Sequence, residues 1–428
     1  MPTGPGLLKQ MQQTDYDIVI IGGGLVGASL ACALSQLSLR IAVVEAYPLG
    51  ADEQPGFDER TLALSYGSRR IFEGLGLWQE IEQTDCTPIQ RIHVSDRGHP
   101  GMTRLDCREQ HLDALGYVVP SRVVGQVLAH AISQQAAISL HSPARLLAMQ
   151  VQADRVDLSL DENGSSRELS ARLVVGADGI HSSVRELAGI GSRQLNYGQT
   201  AVIANIGVSR FHDYTAYERF TDSGPLAILP ASAAAESSPW RCAVVWTVQS
   251  DQADAVMALD DASFTKHLTD RFGHRLGDIV QTGQRSAFPL ALRHAREHVR
   301  PRLALIGNAA HTLHPIAGQG FNLGLRDVAS LAQVLSDAMQ AAEDPGSLTV
   351  LKRYLHWRRR DHLRVIGFTD GLVRLFSNNF VPLVLARNLG LATAELLPPL
   401  RHLLTRRAMG LTGQLPRLAR GLPLQERY

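Results

Sequence analysis

Cysteine is scarce in this chain. Cys32, Cys86, Cys107 and Cys242 are scattered through 428 residues, and no two form a C-x-x-C pair. That excludes a cysteine-rich zinc site or a disulfide scaffold and suits a reducing, cytoplasmic compartment. Charge is also sparse, at 19% of residues, and balanced at a net +1, which excludes nucleic-acid binding through bulk charge. The 45% apolar share excludes a disordered or fibrous chain. The sequence has no H-E-x-x-H and no G-x-S-x-G, so no metal centre and no activated serine are expected. A secretory leader is not expected either, because Met1–Asp17 lacks a basic segment followed by an apolar one.

Two stretches, Ile18–Leu39 and Ala304–Leu325, run 22 residues without Asp, Glu, Lys or Arg. Length alone would make each a membrane span. Both are rich in glycine, and the second also holds His311, His314 and Pro315. Kinked backbone is not tolerated in lipid, so neither is expected to cross a membrane.

What is there points to an α/β fold. At roughly 100–200 residues per domain the length allows two to four domains. Asp15–Ile21 and Arg40–Glu45 read as buried strands flanking a helix at Ala28–Leu37. This β-α-β opening predicts a doubly wound, Rossmann-like sheet. Residues 46–115 show no long period and read as loops and short elements. A helix is expected at Ser121–Gln135, strands at Ala144–Met149, Arg155–Leu160 and Leu173–Asp178, and a turn at Asp161–Gly164. Thr200–Val208, Leu226–Leu229 and Arg241–Val248 read as antiparallel strands of a second, inserted domain. Arg302–Ile306 returns as a buried strand, Gly320–Met339 as a helix, and the tail as helices punctuated by proline.

Gly22-Gly-Gly24-Leu-Val-Gly27 matches G-x-G-x-x-G between the first strand and the first helix. Gly22 allows a tight turn, Gly24 lets a pyrophosphate approach the backbone, and Gly27 lets helix and strand pack closely. Glu45 ends the second strand and can accept hydrogen bonds from a ribose, which favours FAD or NAD over NADP at this site. Two later segments combine a strand, a turn and a helix start. They are Val175-Gly-Ala-Asp178-Gly179 with Ser182 and Arg185, and Gly307-Asn308 followed by His311, His314, Pro315, Gly318, Gln319, Gly320 and Asn322. On bare physics each is also a well-capped helix.

In this order and spacing the three motifs resemble the FAD-dependent aromatic-ring hydroxylases, the group that includes para-hydroxybenzoate hydroxylase. Asp58-Glu-Arg60-Thr-Leu-Ala-Leu-Ser65, Gly224–Pro230 and Gly307–Asn322 are similar to the ubiquinone-biosynthesis hydroxylases. Within them the likeness is greatest to the UbiH type, the 2-polyprenyl-6-methoxyphenol hydroxylases. The resemblance implies a para-hydroxybenzoate hydroxylase-like architecture. An FAD-binding domain would occupy residues 1–75, 110–190 and 290–340. An inserted β-sheet substrate domain would occupy 76–109 and 191–289, and a basic helical segment 341–428. It implies that Gly22, Gly24, Gly27, Glu45, Arg60, Arg122, Asp178, Gly307, Asn308, Gly318, Gln319, Gly320 and Asn322 hold FAD. Asn308 stands where the family has an acid; it can bond a ribityl hydroxyl but carries no charge. The implied chemistry is reduction of FAD by NADH or NADPH, reaction with O2 to a C4a-hydroperoxide, and transfer of one oxygen to a polyprenylphenol. His314 and Pro315 are candidates to border substrate and flavin. No catalytic base is identified, and His311 has no assigned role.

Residues 351–428 carry fourteen Lys and Arg against four Asp and Glu, a net +10, which leaves −9 on residues 1–350. Amphipathic helices packing on the body would explain this. So would peripheral contact at the inner face of the cytoplasmic membrane, or docking to a ubiquinone-biosynthesis complex. Nucleic acid is not expected, since Lys352 is the tail's one lysine. The alternatives to a polyprenylphenol hydroxylase are a sibling acting at another ring position or on a small soluble phenol, a flavin reductase or oxidase, and a flavin-free scaffold.

Overall fold

The structure is a computed structural model, and it describes residues 14–49, 60–232, 240–312, 319–376 and 381–425. The opening unit forms as the pattern requires: β1 (Tyr16–Ile21), α1 (Leu25–Leu34) and β2 (Ile41–Val44). Ile18, Ile20, Ile41 and Val43 are fully buried in one core that also takes Leu30 and Leu34 from α1. This is the two-sided burial of a parallel strand, which explains the unbroken apolar run.

β1 pairs in parallel with β2 on one side and with β11 (Ser165–Gly176) on the other. β8 (Ile138–His141) extends the sheet beyond β2, and β19 (Leu303–Leu305) extends it beyond β11, followed by β18 (Val299–Arg300). The strand expected at Leu173–Asp178 is thus the inner half of a longer one. Its exposed first half pairs antiparallel with β10 (Val156–Glu162), which pairs with β9 (Ala144–Val151).

The stretch 46–115, which shows no period, is folded where it is described. It supplies β3 (Thr61–Ser65), α2 (Tyr66–Leu75), α3 (Trp78–Thr84), β4 (Thr87–Ile89), β5 (Arg91–Asp96) and β6 (Met102–Asp106). These strands are three to six residues long, too short for a repeat to accumulate. β7 (Gly116–Pro120) sits between β3 and β4 in a small sheet and leads into α4 (Ser121–Ser133). α5 (Ser183–Leu187) follows β11.

A second large sheet is built from β12 (Ser192–Val208), β13 (Thr215–Thr221), β14 (Gly224–Ala231), β15 (Trp240–Gln249), β16 (Ile279–Thr282) and β17 (Ser286–Ala295). β5 and β6 join it at one edge and β20 (His311–Thr312) at the other. β17 therefore runs across the expected boundary at residue 290, and β4 pairs with β7 rather than with this sheet. Between β15 and β16 the chain forms α6 (Ala253–Met257) and α7 (Asp261–Phe272). Phe264, Leu268 and Phe272 of α7 pack on Val202, Leu226 and Trp246, covering one face of the sheet. The other face turns toward the small sheet, where Ala216 packs with Ile89 and Val118.

α8 (Gln319–Gln340) and α9 (Leu348–Phe376) bury Leu331, Leu335, Leu351 and Tyr354 against the first core. α10 (Val381–Leu396) and α11 (Pro398–Ala408) complete the tail. Part of its charge is spent internally: Arg387 bonds Asp96 at 2.8 Å and Arg401 bonds Glu109 at 2.9 Å. No helix among the described residues is long and apolar enough to cross a membrane.

Candidate cofactor and substrate site

The first glycine turn is built by contact distances. Gly22 has φ +101° and donates its N–H to the Val44 carbonyl at 2.8 Å. A Cβ there would lie 2.6 Å from the Ala177 carbonyl oxygen, and one on Gly27 would overlap the Gly22 carbonyl oxygen. Gly24 differs, since nothing lies within 4 Å of where its Cβ would be. It caps α1 without a side-chain bond. The N–H groups of that first turn therefore have no side-chain acceptor among the described residues and face an open cradle, the geometry that takes a diphosphate. Glu45 closes the rim, accepting from the Gly23 N–H at 2.6 Å and the Tyr47 N–H at 3.1 Å.

The Ala-Asp-Gly turn lies directly against this cradle, because Gly22 abuts Ala177 and Asp178. Asp178 Oδ2 accepts from Ser183 Oγ at 2.8 Å and Val184 N–H at 3.1 Å. Its Oδ1 is buried without a partner among the described residues, an acceptor that a ligand hydroxyl or amide would satisfy. Buried Arg185 ties this turn to the third motif, donating to the carbonyls of Ile180 at 2.7 Å and Ala309 at 2.9 Å.

The third motif meets the first through Val26. A Cβ on Gly307, at φ +57°, would lie 3.1 Å from Val26, and one on Gly324 would lie 2.9 Å from it. Asn308 is exposed beside buried Gly307 and Ala309. Gly320 sits in the first turn of α8 with open space where a Cβ would be. Gln319 opens that helix, while His314, Pro315 and Gly318 lie outside the described residues. Asn322 is engaged elsewhere. Its Oδ1 accepts from Ser65 N–H at 2.8 Å and Ser68 Oγ at 2.6 Å, and its Nδ2 donates to the Ala63 carbonyl at 2.8 Å. It anchors α8 to β3 and shapes the site from behind. Arg60 and Arg122 come together at the end of the small sheet, where the Ser121 N–H donates to the Arg60 carbonyl at 2.7 Å. The Arg60 guanidinium lies 5.1 Å from the Phe288 ring centroid, and that of Arg122 3.9 Å from Asp85.

Sequence reasoning missed the group that holds the third motif. Asp327, fully buried on α8, accepts four hydrogen bonds. The donors are Gly307 N–H at 3.1 Å, His311 Nε2 at 2.7 Å, His362 Nε2 at 2.7 Å and Arg358 Nε at 2.7 Å. Burial pushes this carboxyl up, but His311, His362 and Arg358 outweigh it and hold it well below the usual carboxylate range. Burial pushes His362 down to about 4 and neighbouring His298 down to about 2. His311, Asp327 and His362 are a residue set that could hold a metal ion. Here N–H donors fill both carboxylate oxygens, and Arg358 already supplies the countercharge. An acid amid the apolar residues of α8, about two turns into the helix, was the one available signal.

Comparison with known proteins agrees with this geometry. Residues 15–368 match the family described as an FAD binding domain. The chain is 41% identical to ubiquinone hydroxylase UbiL of Rhodospirillum rubrum, over 99% of this chain and 97% of that one. It is 36% identical to the 3-demethoxyubiquinol 3-hydroxylase of Escherichia coli, over 94% of this chain and all of that one. In fold it is similar to p-nitrophenol 4-monooxygenase PnpA of Pseudomonas putida, with a TM-score of 0.76 and 19% identity over 94% of this chain and all of that one. A glycine cradle open to a diphosphate, an orphaned acceptor on the adjoining turn and similarity along almost the whole chain lead to one conclusion: the chain belongs to the FAD-dependent monooxygenases of the ubiquinone-biosynthesis hydroxylase family.

Proposed function

We propose that this enzyme hydroxylates the ring of a polyprenylated phenol on the way to ubiquinone, with NADH or NADPH as electron donor and O2 as co-substrate. The supporting observation is that three loops far apart in sequence close on one cradle, in a chain similar end to end to ubiquinone hydroxylases. FAD, once bound, supplies the redox chemistry, since no protein side chain transfers an oxygen atom from O2. The protein's part is to bind, orient and exclude water. The open first turn of α1 takes the diphosphate, with Glu45 at the ribose and Asp178 Oδ1 accepting a hydroxyl. Asn308 and the first turn of α8, with Gly320, meet the ribityl chain and ring, where the helix dipole favours negative charge by about 0.3–2 kcal/mol. Arg60 and Arg122 border the cofactor from the small sheet.

The tail supports a membrane-drawn substrate. Leu385, Leu389 and Leu396 of α10 are 66–77% exposed, and their spacing puts them on one helix face. Exposed Arg406 and Arg407 follow on α11. Such a surface suits an anionic bilayer, to which each basic residue adds about 1 kcal/mol.

The test is the absorbance spectrum of purified protein with FAD, followed on adding NADH or NADPH with a short-chain 2-prenyl-6-methoxyphenol. Flavin bleaching accelerated by the phenol, with hydroxylated product, is expected. Bound flavin indifferent to every prenylphenol would overturn the substrate, and protein unable to bind flavin would overturn the enzyme reading.

A further inference from the structure

The face of the large sheet opposite α7 carries a carboxyl that nothing among the described residues satisfies. Strand pairing puts Ile203, Val245, Ala227, Glu218 and Val94 side by side across β12, β15, β14, β13 and β5. Residues paired across a sheet share a face, so these five form one row. All five are half-buried. The next row on the same face holds Ala201, Thr247, Pro225, Phe220 and Asp96, and every one of these is buried. In the row on the other side Ala243 and Ala216 are buried, Leu229 and Ile92 are half-buried and Asn205 is exposed. A half-exposed row that meets a fully buried row on one side and buried Ala243 and Ala216 on the other, on an inward face, is the floor of a cleft.

The cleft has walls. Ile89 of β4 and Val118 of β7 pack on Ala216 and Leu229 at one end. Phe288, which pairs with Ala201, carries the Arg60 guanidinium at the other. α9 touches β14. The row is aliphatic apart from Glu218, whose carboxyl has no hydrogen-bond or ion-pair partner among the described residues. Burial alone pushes that carboxyl up to about 7. An unpaired carboxyl on an apolar floor costs stability and contributes nothing to packing that a leucine would not. An apolar cleft with one polar group matches a ligand that is itself apolar with one polar group.

We propose that this row is the floor of the aromatic-ring subsite, and that Glu218 accepts the proton of the substrate's phenol there. The assignment rests on the proposed function and names the base that function lacks. In the step, the phenol O–H bond breaks and a carboxyl O–H bond forms. The electron pair left on oxygen raises electron density at the ortho and para ring carbons; the carbon that receives the oxygen atom derived from O2 loses its C–H proton as the ring rearomatises, and that proton restores the phenol O–H. The proton leaves Glu218 to solvent at product release. A free phenol ionises near pH 10, so at neutral pH it needs such an acceptor. An acceptor that titrates near the working pH is also the most effective general base. The other charged groups on or bordering this face among the described residues are Arg60, above Phe288, exposed Arg241, two rows from Glu218, and Asp96, which is bonded to Arg387, Asn388 and His99.

The experiment uses FAD-loaded, oxidised enzyme and a short-chain 2-prenyl-6-methoxyphenol, with binding followed through the flavin spectrum. Wild-type Kd is expected to fall by about tenfold between about pH 6 and about pH 8, the gain from bonding a carboxylate instead of a neutral acid. E218Q is expected to bind with a Kd that no longer changes with pH, and to form product about 100-fold more slowly. A pH-dependent Kd and full turnover in E218Q would overturn the assignment while leaving the proposed function standing. A wild-type enzyme that binds no phenol would overturn both. Should E218Q not fold, the wild-type profile decides alone, because a Kd flat across that range also overturns the assignment.

Discussion

Asp327→Asn tests the claim that one buried carboxylate holds the Gly307 loop to α8 and α9. The amide keeps the shape but presents an oxygen on one side and an N–H2 on the other. If the oxygen faces Arg358 and His362, the N–H2 faces two donors, Gly307 N–H and His311 Nε2. His311 can respond by moving its proton to Nδ1, which is buried and has no partner among the described residues. Gly307 N–H cannot respond, and an unpaired buried donor costs about 1–3 kcal/mol. Arg358 also loses its main countercharge, although Asp361 still bonds it. Breaking a buried ion pair on one side costs about 3–5 kcal/mol. Because His311 rearranges, only these two costs are counted, and the expected loss is about 4–8 kcal/mol, a large part of the roughly 5–15 kcal/mol that holds a protein folded. Guanidinium unfolding of the apoprotein measures it as a lower midpoint at unchanged slope. FAD titration should show weaker binding, because the loop that carries Asn308 is released. A midpoint shift worth less than about 1 kcal/mol, with unchanged FAD affinity, would refute the account of Asp327.

Gly27→Ala should give protein without flavin absorbance, because the added methyl overlaps the Gly22 carbonyl oxygen and forces α1 away from β1; flavin retained at wild-type affinity would count against the cradle. Asn322→Ala should cost about 1–3 kcal/mol by thermal unfolding, since Ser65 N–H and the Ala63 carbonyl are left without their partner. Stability should fall on acidification from about pH 6.5 toward pH 5. The native state keeps His362 and His298 neutral, at about 4 and about 2, so the unfolded chain binds up to two more protons in that window. Glu218, raised to about 7, opposes with one proton, and the balance leaves stability rising with pH. Urea midpoints at the two pH values check the sign, and equal midpoints would contradict it.

The sequence by itself determined what local chemistry dictates. An unbroken apolar run followed by G-x-G-x-x-G can only be a buried strand entering a helix, and β1 and α1 lie within three residues of where that pattern sets them. Glycine turns are legible because the need for positive φ or close approach lies in the residues themselves. The Gly307 loop and the start of α8 were visible for the same reason. Short strands such as β4 and β5 were not, since three to six residues carry no period and their pairing is non-local. Tertiary structure alone decided the roles of single charges. Asn322 carries a family motif, but its side chain is taken up by β3 and α2. Asp327 gains its meaning from Arg358 and His362, 31 and 35 residues further on. Glu218 is one acid in a polar-looking strand, Thr215–Thr221, until register sets it among aliphatics from four other strands. A backbone turn is specified by its own atoms, whereas the environment of a carboxyl is specified by neighbours that only the folded chain brings together.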